Sequence, residues 1–211
     1  MTSEATIRPY GSDDYAAIGR ICVLTGDAGV DATGKFFDDE LLPTIYAHPY
    51  VEYTPELARV VELDGQVAGY LVGVADKRDF AAWWECEWVP KIIERFPDDA
   101  AWTDEERALI AGGLDPRGTL VGPHADEYPA ELHIDLLPVV QGQGLGRRLI
   151  SGYRRDLAKR GVKKLALGVD ASNESAVAFY RHLGFQTLVE YKAPDGHVTS
   201  YTMWIPTDDE G

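Results

Sequence analysis

Cysteine is nearly absent from this chain. Of 211 residues only Cys22 and Cys86 carry a thiol, and they lie far apart. That excludes a disulfide framework. Two lone cysteines in a domain of this size read as reduced residues and point to a cytoplasmic address. Long apolar runs are missing as well. None approaches the roughly 18 residues of a membrane span, so no membrane partner is expected. Met1–Pro9 lacks the charged-then-apolar layout of a secretion signal. Basic residues are few, 20 Lys and Arg against 35 Asp and Glu, for a net charge of −15. Phosphate neutralisation needs basic surface, so no nucleic-acid partner is expected. The five histidines, His48, His124, His133, His182 and His197, are scattered without the short spacing of ligand pairs, which argues against a metal. There is no Gly-Lys-Ser/Thr of a P-loop and no serine-centred nucleophile elbow.

The charge that is present is unevenly placed. Residues 1–130 hold ten basic and twenty-five acidic side chains. Residues 141–170 reverse this, with Arg147, Arg148, Arg154, Arg155, Lys159, Arg160, Lys163 and Lys164 against Asp156 and Asp170. An acidic body with one cationic segment suits either a solvated helix face or a site for a small polyanion.

The length suits one domain, 1–211, with an insertion. Thr6–Pro9 reads as a strand, and Ser12-Asp13-Asp14 as a helix start with a capping hydroxyl. A second helix is expected over Phe36–Tyr46, ending before His48-Pro49. Leu57–Leu63 and Val67–Val74 form a hairpin about Asp64-Gly65, a pair suited to a primed turn. Residues 76–128 break the alternating order and hold four of the five tryptophans, Trp83, Trp84, Trp88 and Trp102. They read as a helical insertion packed by aromatics, with Pro90 opening one helix and Thr103–Glu106 capping another that runs to about Ala111. Leu132, Ile134 and Leu136 alternate with Glu131, His133 and Asp135, which makes a strand. A helix follows from Gly144 to Arg160, then a strand over Lys164–Val169 and a helix capped by Asn173. Gln186–Tyr191 and Ser200–Ile205 close the chain as a hairpin. This order is α/β with antiparallel edges.

Chemistry concentrates between the strand Glu131–Leu137 and the helix after it. Gln141-Gly142-Gln143-Gly144-Leu145-Gly146 lets backbone approach an anion. The helix start supplies unpaired N–H groups and the positive end of a dipole, a ready pyrophosphate cradle with Arg147 and Arg148 at its rim. The glycines alternate, unlike the dinucleotide fingerprint Gly-x-Gly-x-x-Gly.

Leu136–Leu149 resembles motif A of the GNAT superfamily, and Asn173–Phe185 resembles its second signature, Asn-x-x-Ala-x-x-Phe-Tyr-x-x-x-Gly-Phe. The resemblance runs over about residues 4–205, and the insertion departs from the minimal layout. The whole chain is similar to the acetyltransferase-like C-terminal domain of O-GlcNAc hydrolases and its free-standing bacterial relatives. The resemblance implies a GNAT fold: a central mixed, mostly antiparallel sheet with helices on both faces and a helical insertion before the motif A strand. It implies acetyl-CoA as cofactor, an amine acceptor (a small molecule or a protein lysine) and acceptor contacts in variable loops or across a homodimer interface. Cofactor contacts are implied for Leu136, Leu137, Val139, Gln141, Gly142, Gln143, Gly144, Leu145, Gly146, Arg147, Arg148, Asn173, Phe179 and Tyr180. Leu137 and Val139 would pair with the pantetheine arm like an added strand, with an N–H near Leu137 facing the oxyanion. Tyr180 would protonate the leaving thiolate.

An amine with a pKa near 10.4 is neutral in only about one molecule in 2,500 at pH 7, so something must take its proton. Asp135 is the first candidate and His133 the second. Both fall on one face of the strand, where the alternative is that they satisfy each other or a buried backbone group. The resulting expectation is direct acetyl transfer to a primary amine in a ternary complex. The alternative is a silent acyl-CoA-binding or protein-interaction module of the same fold.

Overall fold

The computed structural model describes residues 4–99 and 101–208. Strands β1 (Thr6–Pro9), β2 (Arg59–Leu63), β3 (Gln66–Val74) and β4 (Glu131–Leu136) form one antiparallel sheet in that order. Strands β5 (Lys164–Asp170), β6 (Gln186–Lys192) and β7 (Val198–Pro206) form a second, ordered β5-β7-β6. The expected central sheet is therefore split. The halves touch at a parallel bridge, Ala130 to Leu165, with the Ala166 N–H donating to Ala130 O at 3.0 Å. Beyond it, β4 stays with β3 and β5 with β7, and a gap opens between them.

The hairpin turn between β2 and β3 has φ of +52° at Asp64 and +75° at Gly65, the left-handed pair that a primed turn requires. One face of the sheets packs on α8 (Leu145–Lys159) and α9 (Glu174–His182) through Val61, Leu71, Leu132, Leu149, Leu157 and Tyr180. Tyr153 fixes α8 to the sheet. Its hydroxyl lies 2.9 Å from Val74 O and 2.8 Å from Glu131 O and shares its one proton between the two carbonyls. Gly73 makes room for it, since a Cβ there would lie 2.5 Å from that hydroxyl.

The other face packs on α1 (Tyr15–Leu24), α2 (Leu41–Tyr46), α3 (His48–Tyr53) and the insertion. Ser12 does not cap as expected. Ser12–Asp14 is a 3₁₀ turn in which the Asp14 carboxylate accepts the Gly11 N–H at 2.8 Å and pairs with Arg8. The helix expected over Phe36–Tyr46 begins only at Leu41. The Asp39 carboxylate accepts the Gly34 N–H and that of Asp38 the Glu40 N–H, so the local backbone is drawn into turns. His48-Pro49 opens α3 instead of ending a helix, since proline suits the first turn.

The insertion is helical, as expected: α4 (Lys77–Trp83), a π turn Trp84–Trp88, α5 (Val89–Arg95), α6 (Asp104–Leu114) and α7 (Pro116–Leu120). Trp84 Nε1 donates to Gly113 O and Trp88 Nε1 to Thr44 O, both at 2.9 Å. The capping box at Thr103 and Glu106 is formed. However, α6 runs past Ala111 to Leu114, because Gly113 lets Ile45 and Ile92 pack against the helix, where a Cβ would sit 2.5 Å from Ile45.

His48 gives this face an acid limit. It is buried, stacked on Tyr15 at 3.9 Å, and its Nε2 has no hydrogen-bond partner among the described residues. Burial lowers its pKa to about 4, against a smaller upward pull from the Tyr15 backbone. Between that value and the ordinary 6.5 the unfolded chain binds a proton that the folded chain refuses. Stability held above pH 6.5 should therefore fall by about 3 kcal/mol on acidification to pH 4. Thermal melts across that range should show the slope in the native chain and lose it in His48→Phe.

Candidate active site

The strand-to-helix junction supplies the first half of the site. After Leu136 the chain turns through Pro138–Val140 and reaches α8 through residues 141–144. Gly142 and Gly144 have φ of +72° and +73°, and a Cβ on either would meet nothing within 4 Å. Gly146 is required differently, since a Cβ there would lie 2.8 Å from the Phe179 ring. The two glutamines brace the turn, Gln141 Nε2 to Leu136 O at 2.8 Å and Gln143 Nε2 to Val139 O at 2.9 Å. Among the described residues none of the six amides of Gly142–Arg147 donates a hydrogen bond, and Gly144 caps α8 with no side chain. Six free N–H groups at the positive end of a 15-residue helix form an anion site. The diphosphate of coenzyme A fits that donor set.

Several basic side chains in and beside the cationic segment have partners. Arg147 lies 2.8 Å from His182 Nε2, and Arg59, Lys159, Arg160 and Lys164 are paired with Asp156, Asp156, Glu56 and Glu127. Arg148 stays exposed beside the cradle, and Leu145 is buried in the core. The Asn173 Oδ1 accepts the Ala176 N–H at 3.0 Å, so this residue caps α9.

The gap between β4 and β5 supplies the second element. Leu137 is a correction. Its N–H donates to Ala68 O at 2.9 Å and its carbonyl accepts the Val140 N–H at 3.0 Å. The N–H is therefore committed and not free for a pantetheine arm or an oxyanion. Alternate residues of an antiparallel strand bond to opposite sides, so Leu137 and the odd-numbered residues face β3. Leu132, Ile134 and Leu136 therefore direct their amides toward β5, where among the described residues only the bridge at Ala130 is made. Val139 is 59% exposed, and its carbonyl is occupied by Gln143.

The side chains of β4 divide the same way. Glu131, His133 and Asp135 share a face with Tyr70, Val72 and Val74 of β3. His133 and Asp135 do not satisfy each other. Asp135 accepts from the Tyr70 hydroxyl, with Thr25 beside it. Burial pushes its carboxyl above the usual range against the pull of Tyr70 and His133. His133 Nε2 lies 3.0 Å from the Tyr50 hydroxyl, which donates to Glu131 Oε1 at 3.1 Å. Burial opposes the Glu131 charge, yet His133, Lys77 and Tyr50 hold its pKa below the usual value. Glu131 and Tyr50 are the partners that sequence reasoning missed. Glu131 stood in the same alternation as His133, whereas nothing local tied Tyr50 to the strand.

Glu131, His133 and Tyr50 line a cavity of about 440 Å³. Its floor is Glu131, His133, Gly168, Asp170 and Ser200, and its roof comes from α2, α3 and the insertion through Tyr46, Tyr50, Trp84, Pro116 and Leu120. Asp135 is not among the lining residues, nor is His124 or Glu127. Tyr180 lies in the core on the α8–α9 side, 8% exposed, and its hydroxyl makes no hydrogen bond among the described residues. Burial, then Asp135, push its pKa up.

The split sheet thus carries unpaired amides at the strand-to-helix junction and a cavity lined by Glu131 and His133. The chain belongs to the acetyltransferase (GNAT) family, whose model matches residues 30–185. It is similar to the crystal structure of SsHAT, with a TM-score of 0.87 and 37% identity over 98% of this chain and 100% of that one. It shares the fold of yncA from Salmonella typhimurium, solved with acetyl-CoA, at a TM-score of 0.55 and 20% identity, covering 98% and 96% of the two chains. Among curated proteins, the mycothiol acetyltransferase of Amycolatopsis mediterranei is 33% identical over 113 residues, 46% of this chain and 36% of that protein. The [Ribosomal protein bS18]-alanine N-acetyltransferase of Escherichia coli is 41% identical over 73 residues, 33% of this chain and 49% of that protein. The chain thus spans about a third to a half of the curated relatives it matches.

Proposed function

We propose that the protein transfers an acetyl group from acetyl-CoA directly to a primary amine. The observation that supports this best is the gap itself, open to six free amides at one end and to a cavity holding Glu131 and His133 on one face. Acetyl-CoA supplies an activated acyl group on a thiol leaving group. The amides of Gly142–Arg147 hold its diphosphate, and those of Ile134 and Leu136 face the arm in the gap. The incoming ammonium sits against Glu131, which is anionic at neutral pH, and gives its proton to His133. His133 is preferred to Asp135 because it lines the cavity, whereas Asp135 is engaged by Tyr70 outside the lining. Tyr180 keeps its proton at neutral pH and offers it to sulfur.

Free-thiol release with acetyl-CoA and an amine panel tests this reading. Release should require an amine. His133→Gln should lower kcat by about 100-fold at pH 7 and recover as pH approaches the amine's own pKa, while Asp135→Asn should cost less. The reverse order would return the proton-accepting role to Asp135. Tight cofactor binding without release for any amine would favour a silent module.

A further inference from the structure

Gly168 lies inside β5, paired with Thr202. Its φ is not left-handed, and a Cβ there would meet nothing within 4 Å. Neither backbone angle nor close packing requires glycine here, and glycine weakens a strand interior. The one thing its missing side chain provides is open floor in the cavity. Asp170 follows two residues later on the same face and Ser200 is its partner on β7, while Glu131 and His133 face the same space from β4. Counting from the Ala130–Leu165 bridge, Asp170 lies four residues further along than Glu131, roughly 13 Å at strand rise. Asp170 Oδ1 accepts from the Ser172 N–H and hydroxyl, while Oδ2 has no hydrogen bond among the described residues. Among the described residues no lysine or arginine lines the cavity, and the aromatic residues Tyr46, Tyr50 and Trp84 do, Tyr46 being the exposed one. Trp84 is held by its bond to Gly113. Carboxylates at two ends and aromatic walls between them suit two separated cations on an apolar chain. The volume lies in the small-molecule range.

We infer that the acceptor is a small, elongated diamine lying across Gly168, its reacting nitrogen at Glu131 and His133 and its second cation at Asp170. This rests on the transfer reading and names its substrate class.

The test is thiol release by the full chain with acetyl-CoA and 1,5-diaminopentane, pentylamine, 6-aminohexanoate or a lysine peptide. The kcat/KM should fall at least about tenfold from the diamine to pentylamine and again to 6-aminohexanoate, the worth of a charged hydrogen bond at each step. Asp170→Asn should bring the first ratio close to one. Gly168→Val, which suits a strand and whose Cβ would meet nothing within 4 Å, should raise the diamine KM at least about tenfold with acetyl-CoA affinity retained. Faster turnover of 6-aminohexanoate or the peptide, or native kinetics in Gly168→Val, would overturn the inference. If no amine is turned over, the transfer reading falls. Calorimetry then decides the inference separately: diamine heat with the native chain but not with Gly168→Val upholds it, and no heat with the native chain overturns it.

Discussion

Gly144→Glu should yield a folded protein that no longer binds acetyl-CoA, with affinity down at least about 100-fold by calorimetry. Two effects combine. Gly144 sits at φ +73°, so any side chain adds about 1–2 kcal/mol of backbone strain at the start of α8. A Cβ there has no neighbour within 4 Å, so the new side chain fits and the fold survives. Its carboxylate would then lie over the six free amides and compete with the diphosphate for them. Gly144→Ala carries the strain without the charge and should lose far less affinity, which separates the two. A folded Gly144→Glu protein with native affinity would show that the diphosphate binds elsewhere.

Tyr180→Phe should reduce kcat by about 100- to 1,000-fold, the usual worth of a positioned proton donor, with little change in KM. The substitution removes only an oxygen. That oxygen makes no hydrogen bond among the described residues, while the ring packs against Phe179 and Phe185. The melting temperature should therefore hold. A buried tyrosine that served the core alone would give native kcat in the phenylalanine variant. Because burial and Asp135 both raise its pKa, Tyr180 should not introduce an alkaline limb near neutral pH; a kcat that fell between pH 7 and 9 through loss of this proton would contradict its assignment.

Much of the architecture was legible because its causes are local. Asp64-Gly65, the Thr103–Glu106 box and the Asn173 cap are each set by a few neighbouring backbone angles and one hydrogen bond, and all are formed. The alternation of β4 likewise assigned Glu131, His133 and Asp135 to one face. The misreadings have a different origin. Phe36–Glu40 reads as the start of a helix, but Asp38 and Asp39 turn it by bonding backbone amides. Gly112-Gly113 reads as a stop, yet Gly113 is there for Ile45 and Ile92 to approach. The cationic segment reads as either a solvated face or a polyanion site, but Arg160, Lys164 and Arg147 meet Glu56, Glu127 and His182 from distant elements.

The sequence by itself determined the cradle: alternating glycines after a strand and before a helix leave amides unpaired wherever that segment folds, because helix geometry requires it. Only the tertiary structure decided which groups stand beside it. Strand register directed the Leu137 amide to Ala68 and turned Leu132, Ile134 and Leu136 toward the gap. Packing of α3 brought Tyr50 to His133 and Glu131, packing of β3 brought Tyr70 to Asp135, and the insertion closed a roof over Gly168. Those meetings join residues 65 to 83 positions apart, and no local rule reaches that far.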